Sequence, residues 1–198
     1  AAFEGFKSGE FDYRAENSAS KWAQQYEFPA VKKGLVTKEE IVEDGPKRIQ
    51  VFAFNLRRPQ FQDRRVREAI KLAFDFERTN ATVYFDQYAR PRSFFQGTES
   101  LMATGAPTGA ELAMLEELRG QVPDEVFGPH YEAPKTDGSS RNRRQLRAAG
   151  KLLAEAGWSI RNGALVGADD RAFSIEFLTA SDAQSKVLNP FIKNLKTL

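Results

Sequence analysis

Residues 51–80 read VFAFNLRRPQFQDRRVREAIKLAFDFERTN, and three structural signals meet in this one stretch. Residues 51–54 form an unbroken apolar run of β-branched and aromatic character, which predicts a strand buried on both faces. Pro59 removes a backbone donor and disfavours helical geometry at Arg58, so we expect the chain to turn before Asp63. The stretch is therefore predicted to run from a strand, through an elbow, into a helix.

The helix after this elbow is predicted by its cap and by its apolar spacing. Asp63 is a good N-cap, because its carboxylate can accept hydrogen bonds from the backbone N–H groups of the first turn. Apolar residues then recur at helical intervals and form a single stripe: Val66, Ala69, Ile70, Ala73 and Phe74. Charged residues occupy the other positions, so we expect one amphipathic helix docked on the strand.

The same stretch carries a resemblance to a known family. FNLRRPQFQDRRVREAIKLAFDFE resembles the signature of the family 5 extracellular solute-binding proteins of peptide-type ABC importers, in which an aromatic strand ending in Asn precedes a Pro-Phe-Asp elbow and a VRxAI helix. Residues 146–158, LRAAGKLLAEAGW, resemble the LLxEAGW helix of that family. Arg57, Arg58, residues 75–77 and the later YARPRSFF are similar to the subgroup associated with uptake of microcin C-type and other oligopeptides.

This resemblance implies an α/β fold, namely a mixed-sheet lobe of a type II periplasmic-binding-protein-like fold. It implies that residues 1–198 are a single lobe, a fragment of a larger two-lobed protein that begins with a signal peptide. The Pro-rich segment 121–139 would lie on the outer surface of the lobe. The resemblance also implies a periplasmic monomer without a cofactor, which binds oligopeptides in an inter-lobe cleft and delivers them to ABC permease subunits of the inner membrane.

Composition sets the broad class independently of the resemblance. A chain of 198 residues with 41% hydrophobic content is long enough for one domain with a sizeable core. Its 29 basic and 27 acidic residues nearly balance, so charge favours neither a nucleic-acid partner nor a membrane surface. No run approaches the roughly 18 apolar residues of a membrane span. The absence of cysteine excludes disulfides and thiol nucleophiles.

The main candidate site is the loop at residues 88–95, YARPRSFF. Its arginines offer donor forks for anions, and its aromatic rings can cover apolar groups of a ligand. The predicted ligand-binding residues are Asn55, Arg57, Arg90, Ser93 and Phe94. The alternative is that Phe94 and Phe95 anchor the loop to the core while the arginines make surface ion pairs.

Three further strands, a hairpin and six further helices are predicted around the central stretch. A short strand is predicted at 11–14, alternation predicts strands at 35–42 and 172–179, and Asn162-Gly163 predicts a two-residue hairpin turn within 158–166. Helical spacing and caps predict helices at 1–8, after Ser18, at 79–88, 110–119 and 140–156, and from 181 or 182 onward. In the helix after Ser18, Trp22 is predicted to pack in the core with Tyr26 rather than stack on a ligand.

Three polar residues near the N-terminus leave two interpretations open. Arg14, Glu16 and Asn17 either face the inter-lobe cleft, as the resemblance implies, or are solvated loop groups.

Two other functional classes compete with a binding lobe. An enzyme needs a nucleophile with its base or a metal set, yet His130 is the sole histidine and no GxSxG, phosphate loop or HExxH is present. We therefore predict no catalytic residues and no metal site. A non-transport protein-interaction domain, docking a partner through the arginine-rich helix faces, is the remaining alternative.

Overall fold

The computed structural model describes residues 2–42 and 44–198, and the chain divides into two compact units. The first unit comprises Ala1–Glu39, Ala53–Tyr88 and Lys135–Leu198, and the second comprises Glu40–Phe52 and Ala89–Pro134. Both clusters of buried apolar residues identified in the described chain belong to the first unit. The prediction of one lobe over residues 1–198 concerns the longer protein and stays a prediction.

Helices supply most of the regular structure. The α-helices along the described chain are α1 (Ala2–Ser8), α2 (Ala19–Gln24), α3 (Pro29–Lys32), α4 (Arg64–Ala73), α5 (Phe76–Thr79), α6 (Gly109–Glu116), α7 (Arg143–Glu155) and α8 (Ser185–Leu195). Short 3₁₀ turns lie at Pro59–Phe61, Glu99–Leu101, Asp124–Phe127 and Asp182–Gln184, and a π-helical turn lies at Asn80–Tyr84. Helix α6 belongs to the second unit, and the other α-helices belong to the first.

The elbow and the helix of the central stretch form as predicted. Pro59 starts a 3₁₀ turn, and the Asp63 carboxylate caps α4 by accepting a hydrogen bond from the Arg65 backbone N–H at 2.8 Å. The four buried residues of α4 are the predicted stripe: Val66, Ala69, Ile70 and Ala73. Phe74 ends the helix and lies half-buried against the same core.

The main core is a three-helix contact in the first unit. Ala149 and Leu153 of α7, together with Leu188 and Phe191 of α8, pack against the buried stripe of α4. Ala69, Ala73 and Ala149 are fully buried, so small side chains allow α4 and α7 to approach closely. The predicted stripe of α7 thus faces the core, and the helix ends before Gly157, whose φ of +86° fits the predicted glycine cap.

The hairpin is confirmed. Strands β1 (Ser159–Arg161) and β2 (Ala164–Val166) pair antiparallel, with Arg161 opposite Ala164. Asn162 and Gly163 both take positive φ, 51° and 78°, which is the geometry that a two-residue I′ turn requires.

The other predicted strands are wrong as regular strands. Residues 11–14, 35–42 and 51–54 form no regular strand, and Val51, Leu35 and Ile41 are 63–77% exposed. An apolar run becomes a strand only where another strand completes its hydrogen-bond ladder, and among the described residues the one regular sheet is the β1–β2 hairpin. The described residues therefore combine helices with one small antiparallel sheet, and the larger mixed sheet of the predicted lobe stays a prediction.

The predicted strand at 172–179 is wrong only in its pairing. Ala172 makes a single bridge to Val166, and the residues after it are extended without a ladder. Phe173, Ile175 and Phe177 are nevertheless half-buried and pack against the main core, while the residues between them are exposed. The alternation predicted the correct buried face, because side-chain period depends on extended backbone and not on pairing.

Several helix limits differ from the predictions for local reasons. The predicted helix 79–88 is split into α5 and the π-helical turn, and it ends where Phe85 and Asp86 take φ of 54° and 58°. Helix α7 starts at Arg143 rather than near residue 140, because Ser140 and Asn142 also have positive φ. Helix α8 starts at Ser185, after the 3₁₀ turn that Ser181 caps.

A second, aromatic cluster holds the N-terminal part of the first unit. Phe3, Phe6, Tyr26 and Phe28 are buried together, with ring centroids of Phe3 and Tyr26 5.3 Å apart. Trp22 packs on Tyr26 at 5.5 Å, as predicted. The ammonium group of Lys38 lies 4.4 Å from the Trp22 ring, so this indole is occupied by a cation of its own chain.

The second unit has little helix, and two of its irregular segments, near residues 45–47 and 96–97, are in close contact. The Lys47 backbone N–H donates to the Gln96 carbonyl at 2.7 Å. Gly97, with φ of +87°, lies so close to Gly45 that a Cβ atom there would be 2.3 Å from the Gly45 carbonyl oxygen. Glycine at this position is therefore required by both backbone conformation and space.

Candidate ligand-binding surface

Two of the predicted site residues, Asn55 and Arg57, lie in an exposed turn of the first unit. The Asn55 side-chain oxygen accepts a hydrogen bond from the Arg57 backbone N–H at 3.1 Å, and its carbonyl accepts from the Arg58 N–H at 3.0 Å. Asparagine commonly shapes turns in this way. The structure thus assigns Asn55 a turn-forming role and leaves the exposed Arg57 side chain at the surface.

The other three predicted residues belong to the second unit. The guanidinium Nη1 of Arg90 donates to the Pro134 carbonyl at 2.6 Å, and Ser93 Oγ accepts from the Phe95 N–H at 3.0 Å. Phe94 is 89% exposed and Phe95 is 52% exposed. The alternative in which both rings anchor the loop to the core is therefore wrong, and Arg90 ties the loop to the Pro-rich segment.

Tyr88, at the start of the same loop, is held in the first unit. The Asn80 side chain donates from Nδ2 to the Tyr88 carbonyl at 2.8 Å and accepts from its N–H at 3.2 Å. The Tyr88 ring packs against Tyr84 in a tilted arrangement, with centroids 4.4 Å apart. Burial, with a smaller contribution from Tyr88, raises the pKa of Tyr84, so this ring stays neutral at physiological pH.

His130 lies beside the loop at residues 88–95, a contact that the sequence does not predict. Arg92 Nη1 lies 3.5 Å from His130 Nε2, and Glu132 Oε1 lies 3.7 Å from the same nitrogen. These residues are separated from Arg92 by about forty positions, and no local pattern links them. His130 is the sole histidine of the sequence, and the fold places it between a guanidinium group and a carboxylate.

We call Arg92, Phe94, His130 and Glu132 the Arg92–His130 surface. It combines a cation, an imidazole, an acid and an exposed aromatic ring on one unit. Guanidinium and imidazole N–H groups can donate to a carboxylate, and the ring can cover an apolar side chain. The surface therefore has the chemical groups that a peptide-like ligand requires.

A polar cluster in the first unit ties the Pro-rich segment to α5. Thr136 donates from Oγ1 to Asp75 Oδ1 at 2.5 Å and lies 3.0 Å from Glu77 Oε2, which also accepts the Thr136 N–H at 2.9 Å. Asp75 is buried and caps α5 through the Arg78 N–H. Residues 75–77, part of the family resemblance, thus hold structure together in this unit.

Arg14 and Glu16 form a partly buried ion pair in the N-terminal part of the first unit. Arg14 Nη2 lies 3.1 Å from Glu16 Oε2, and the Glu16 side chain is only 4% exposed. Burial raises the pKa of Glu16, yet the Ser18 backbone N–H and the Arg14 guanidinium outweigh it and bring that pKa below its ordinary value. The Tyr26 hydroxyl also donates to Glu16 Oε2 at 3.2 Å, so Arg14 and Glu16 are not solvated loop groups, whereas Asn17 is exposed. That these residues face an inter-lobe cleft stays a prediction.

The described residues were compared with what a metal site and a membrane span each require. Within residues 2–42 and 44–198, no three His, Cys, Asp or Glu side chains gather in a way that would hold a metal ion. None of the helices in this part of the chain is long and apolar enough to cross a bilayer.

Comparison with known proteins places the chain among solute-binding proteins. The model of the bacterial extracellular solute-binding proteins, family 5 Middle, matches residues 1–198. A probable peptide-binding protein YejA of Agrobacterium fabrum is 42% identical over 99% of this chain, and an uncharacterized protein YejA of Escherichia coli is 39% identical over 100% of it. A peptidoglycan-binding protein YepA of Agrobacterium fabrum is 32% identical over 99%. The chain spans 32–33% of these relatives, about a third of their length.

Proposed function

Because the chain belongs to the family 5 bacterial extracellular solute-binding proteins, we propose that it is part of the peptide-binding component of an ABC importer. Family membership implies a type II periplasmic-binding fold for the whole protein. The observation that carries the proposal is the match over residues 1–198 together with 42% identity to a probable peptide-binding protein.

In this proposal the longer protein is periplasmic and monomeric, and residues 1–198 contribute one lobe. Two lobes close on a ligand by hinge motion, and the closed form delivers it to permease subunits of the inner membrane. The role is binding and not catalysis, and it needs no cofactor. Arg57, Arg90, Ser93 and Phe94 remain the proposed ligand contacts, and Asn55 contributes by shaping the turn that presents Arg57.

The ligand class we favour is an oligopeptide or a peptide-like compound, including microcin C-type peptides. Calorimetric titration of the intact, longer protein with di- to hexapeptides tests it. We expect at least one peptide to bind with a Kd below a millimolar, and no binding across the series would contradict the proposal.

A second candidate ligand is a peptide-bearing fragment of peptidoglycan. It is favoured by the relative described as a peptidoglycan-binding protein, which is 32% identical to this chain. Titration with a muramyl peptide beside the free peptide of the same sequence separates the two, because only a peptidoglycan-specific site prefers the sugar-bearing form.

A non-transport interaction domain makes a different prediction for the same protein. It involves no ligand-dependent closure, whereas a two-lobed carrier contracts on binding. Small-angle scattering of the intact protein with and without a bound peptide distinguishes them, and an unchanged radius of gyration would favour the interaction domain.

A further inference from the structure

The Arg92–His130 surface is weakly held by its own contacts. The distances from His130 Nε2 to Arg92 Nη1 and to Glu132 Oε1, 3.5 Å and 3.7 Å, lie beyond the usual range of hydrogen bonds. His130 Nδ1 is buried and has no hydrogen-bond partner among the described residues. Buried polar atoms are rarely left unpaired, so this imidazole has bonding capacity that the described residues do not use.

The charges at this surface favour an anionic group. Arg92 is exposed, and the side chain of Glu132, the acid that contacts the imidazole, is 67% exposed, so this acid is an accessible surface group. Such exposed pairs contribute little energy, because water and salt screen them. A carboxylate that accepted from both Arg92 and His130 would replace a long contact by two charge-assisted hydrogen bonds of normal length.

The exposed ring of Phe94 favours a ligand that carries an apolar side chain next to its carboxylate. Its ring is 89% exposed, and it follows Arg92 by two positions in the same loop. A side chain next to the bound carboxylate can cover this ring and remove apolar surface from water.

We propose that the Arg92–His130 surface binds the free carboxylate of a peptide whose terminal residue is apolar, and that Glu132 occupies this place in the absence of ligand. This inference rests on the proposed function and adds the part of the ligand that the second unit recognises. Arg92 and His130 donate to the carboxylate, Phe94 covers the terminal side chain, and Glu132 competes with the ligand.

The test uses the intact, longer protein and alanine peptides of two to six residues ending in phenylalanine, each as the free acid and as the C-terminal amide. The wild type is expected to bind the best free acid at least tenfold tighter than its amide. Arg92→Gln and His130→Gln should each weaken binding of the free acid about tenfold or more, with little effect on the amide, because each removes a hydrogen bond to a charged group.

Further variants are expected to change the affinity for the free acid in different directions. Glu132→Gln should tighten binding of the free acid by up to about fivefold, since it removes a weak competing charge. Arg92→Lys should give an intermediate loss, because it keeps the charge without the planar fork. Arg147→Gln, on an exposed position of α7, is the matched control and should change nothing. Circular dichroism and the thermal midpoint check that each variant folds.

The outcomes separate this inference from the proposed function. If the wild type binds the peptides but prefers no free acid, or if Arg92→Gln and His130→Gln leave its preference intact, the inference is overturned and the proposed function stands. If Glu132→Gln weakens binding of the free acid, Glu132 contributes to binding and does not compete with the ligand, and the inference is likewise overturned. If the wild type binds no peptide in either form, both fail.

Discussion

The main core of the first unit and the Arg92–His130 surface of the second are built in opposite ways. In the core, α4 and α7 meet through buried residues whose spacing repeats along each helix. At the surface, side chains about forty positions apart meet through single polar contacts between irregular segments. The core depends on many small apolar contacts, whereas the surface depends on a few directional ones.

The difference teaches where stability and recognition reside. Burial of apolar area stabilises the first unit and tolerates little change in volume. An exposed polar surface contributes little to folding, so its residues are available to contact a ligand. Substitutions in the two regions should therefore separate into effects on unfolding and effects on binding.

The largest effect should come from the core. Leu153→Ala removes a side chain that is 3% exposed between α4 and α7, and leaves a cavity. We expect a loss of about 2–5 kcal/mol in the free energy of unfolding, measured by chemical denaturation of the intact protein. Leu178→Ala, at a fully exposed leucine, is the control and should change stability by less than about 0.5 kcal/mol. Equal losses would contradict the assignment of the core.

The second effect concerns the packing of the second unit. Gly97→Ala places a Cβ atom against the Gly45 carbonyl in a backbone conformation that alanine rarely adopts. We expect a loss of about 1–3 kcal/mol. Gly105→Ala, where no atom lies within 4 Å of the new Cβ, should be nearly neutral in the same denaturation assay. A harmless Gly97→Ala would show that the two chain segments do not cross as described.

The third prediction uses the pH dependence of stability to compare the partly buried Arg14–Glu16 ion pair with an exposed ion pair. The folded pKa of Glu16 is below its ordinary value of 4.5, so its charge stabilises the fold above that value. This stabilisation is lost as the pH falls from about 4.5 through the lowered pKa. Glu16→Gln should therefore cost about 1–3 kcal/mol at pH 7 and much less at pH 3, as followed by thermal unfolding at both pH values.

Glu4→Gln provides the exposed counterpart of that experiment. Glu4 pairs with Lys7 at 2.9 Å, but its side chain is 69% exposed. Little change is expected at either pH, because exposed pairs within one helix contribute a few tenths of a kcal/mol. A pH-independent loss in Glu16→Gln would mean that packing, and not charge, explains the role of Glu16.

The smallest effect should be a gain. Gly150 lies inside α7, and a Cβ atom there meets nothing within 4 Å. Gly150→Ala should raise stability by up to about 1 kcal/mol through helix propensity and reduced entropy of the unfolded chain. Gly157→Ala, at φ of +86°, should instead lower it, and a rise in the thermal midpoint of both variants would contradict the placement of the helix end.

Local signals predicted the elements whose formation depends on near neighbours. The cap at Asp63, the apolar stripe of α4 and the Asn162-Gly163 turn act within a few residues of one another. The strand predictions at 35–42 and 51–54 failed because a ladder needs a partner segment, which periodicity does not identify. The alternation at 173–177 gave the buried face without the pairing.

The candidate site divides in the same way. The loop composition points to Arg90, Ser93 and Phe94 as ligand contacts, which stays a prediction, and the structure adds a contact from Arg90 to the Pro-rich segment. The residues that neighbour this loop in space are not predicted by the sequence pattern. His130 and Glu132 reach Arg92 only because the second unit folds back on itself, and no spacing rule relates these positions.

By itself, the amino-acid sequence determined the family, the amphipathic helices and the hairpin turn, because each is specified by residue types at short, regular spacing. Tertiary structure alone decided which predicted strands remain unpaired, that Arg14 and Glu16 form a partly buried ion pair, and that an imidazole lies between Arg92 and Glu132. Those outcomes depend on contacts between distant positions, whose formation is set by the packing of the whole chain and not by any local preference.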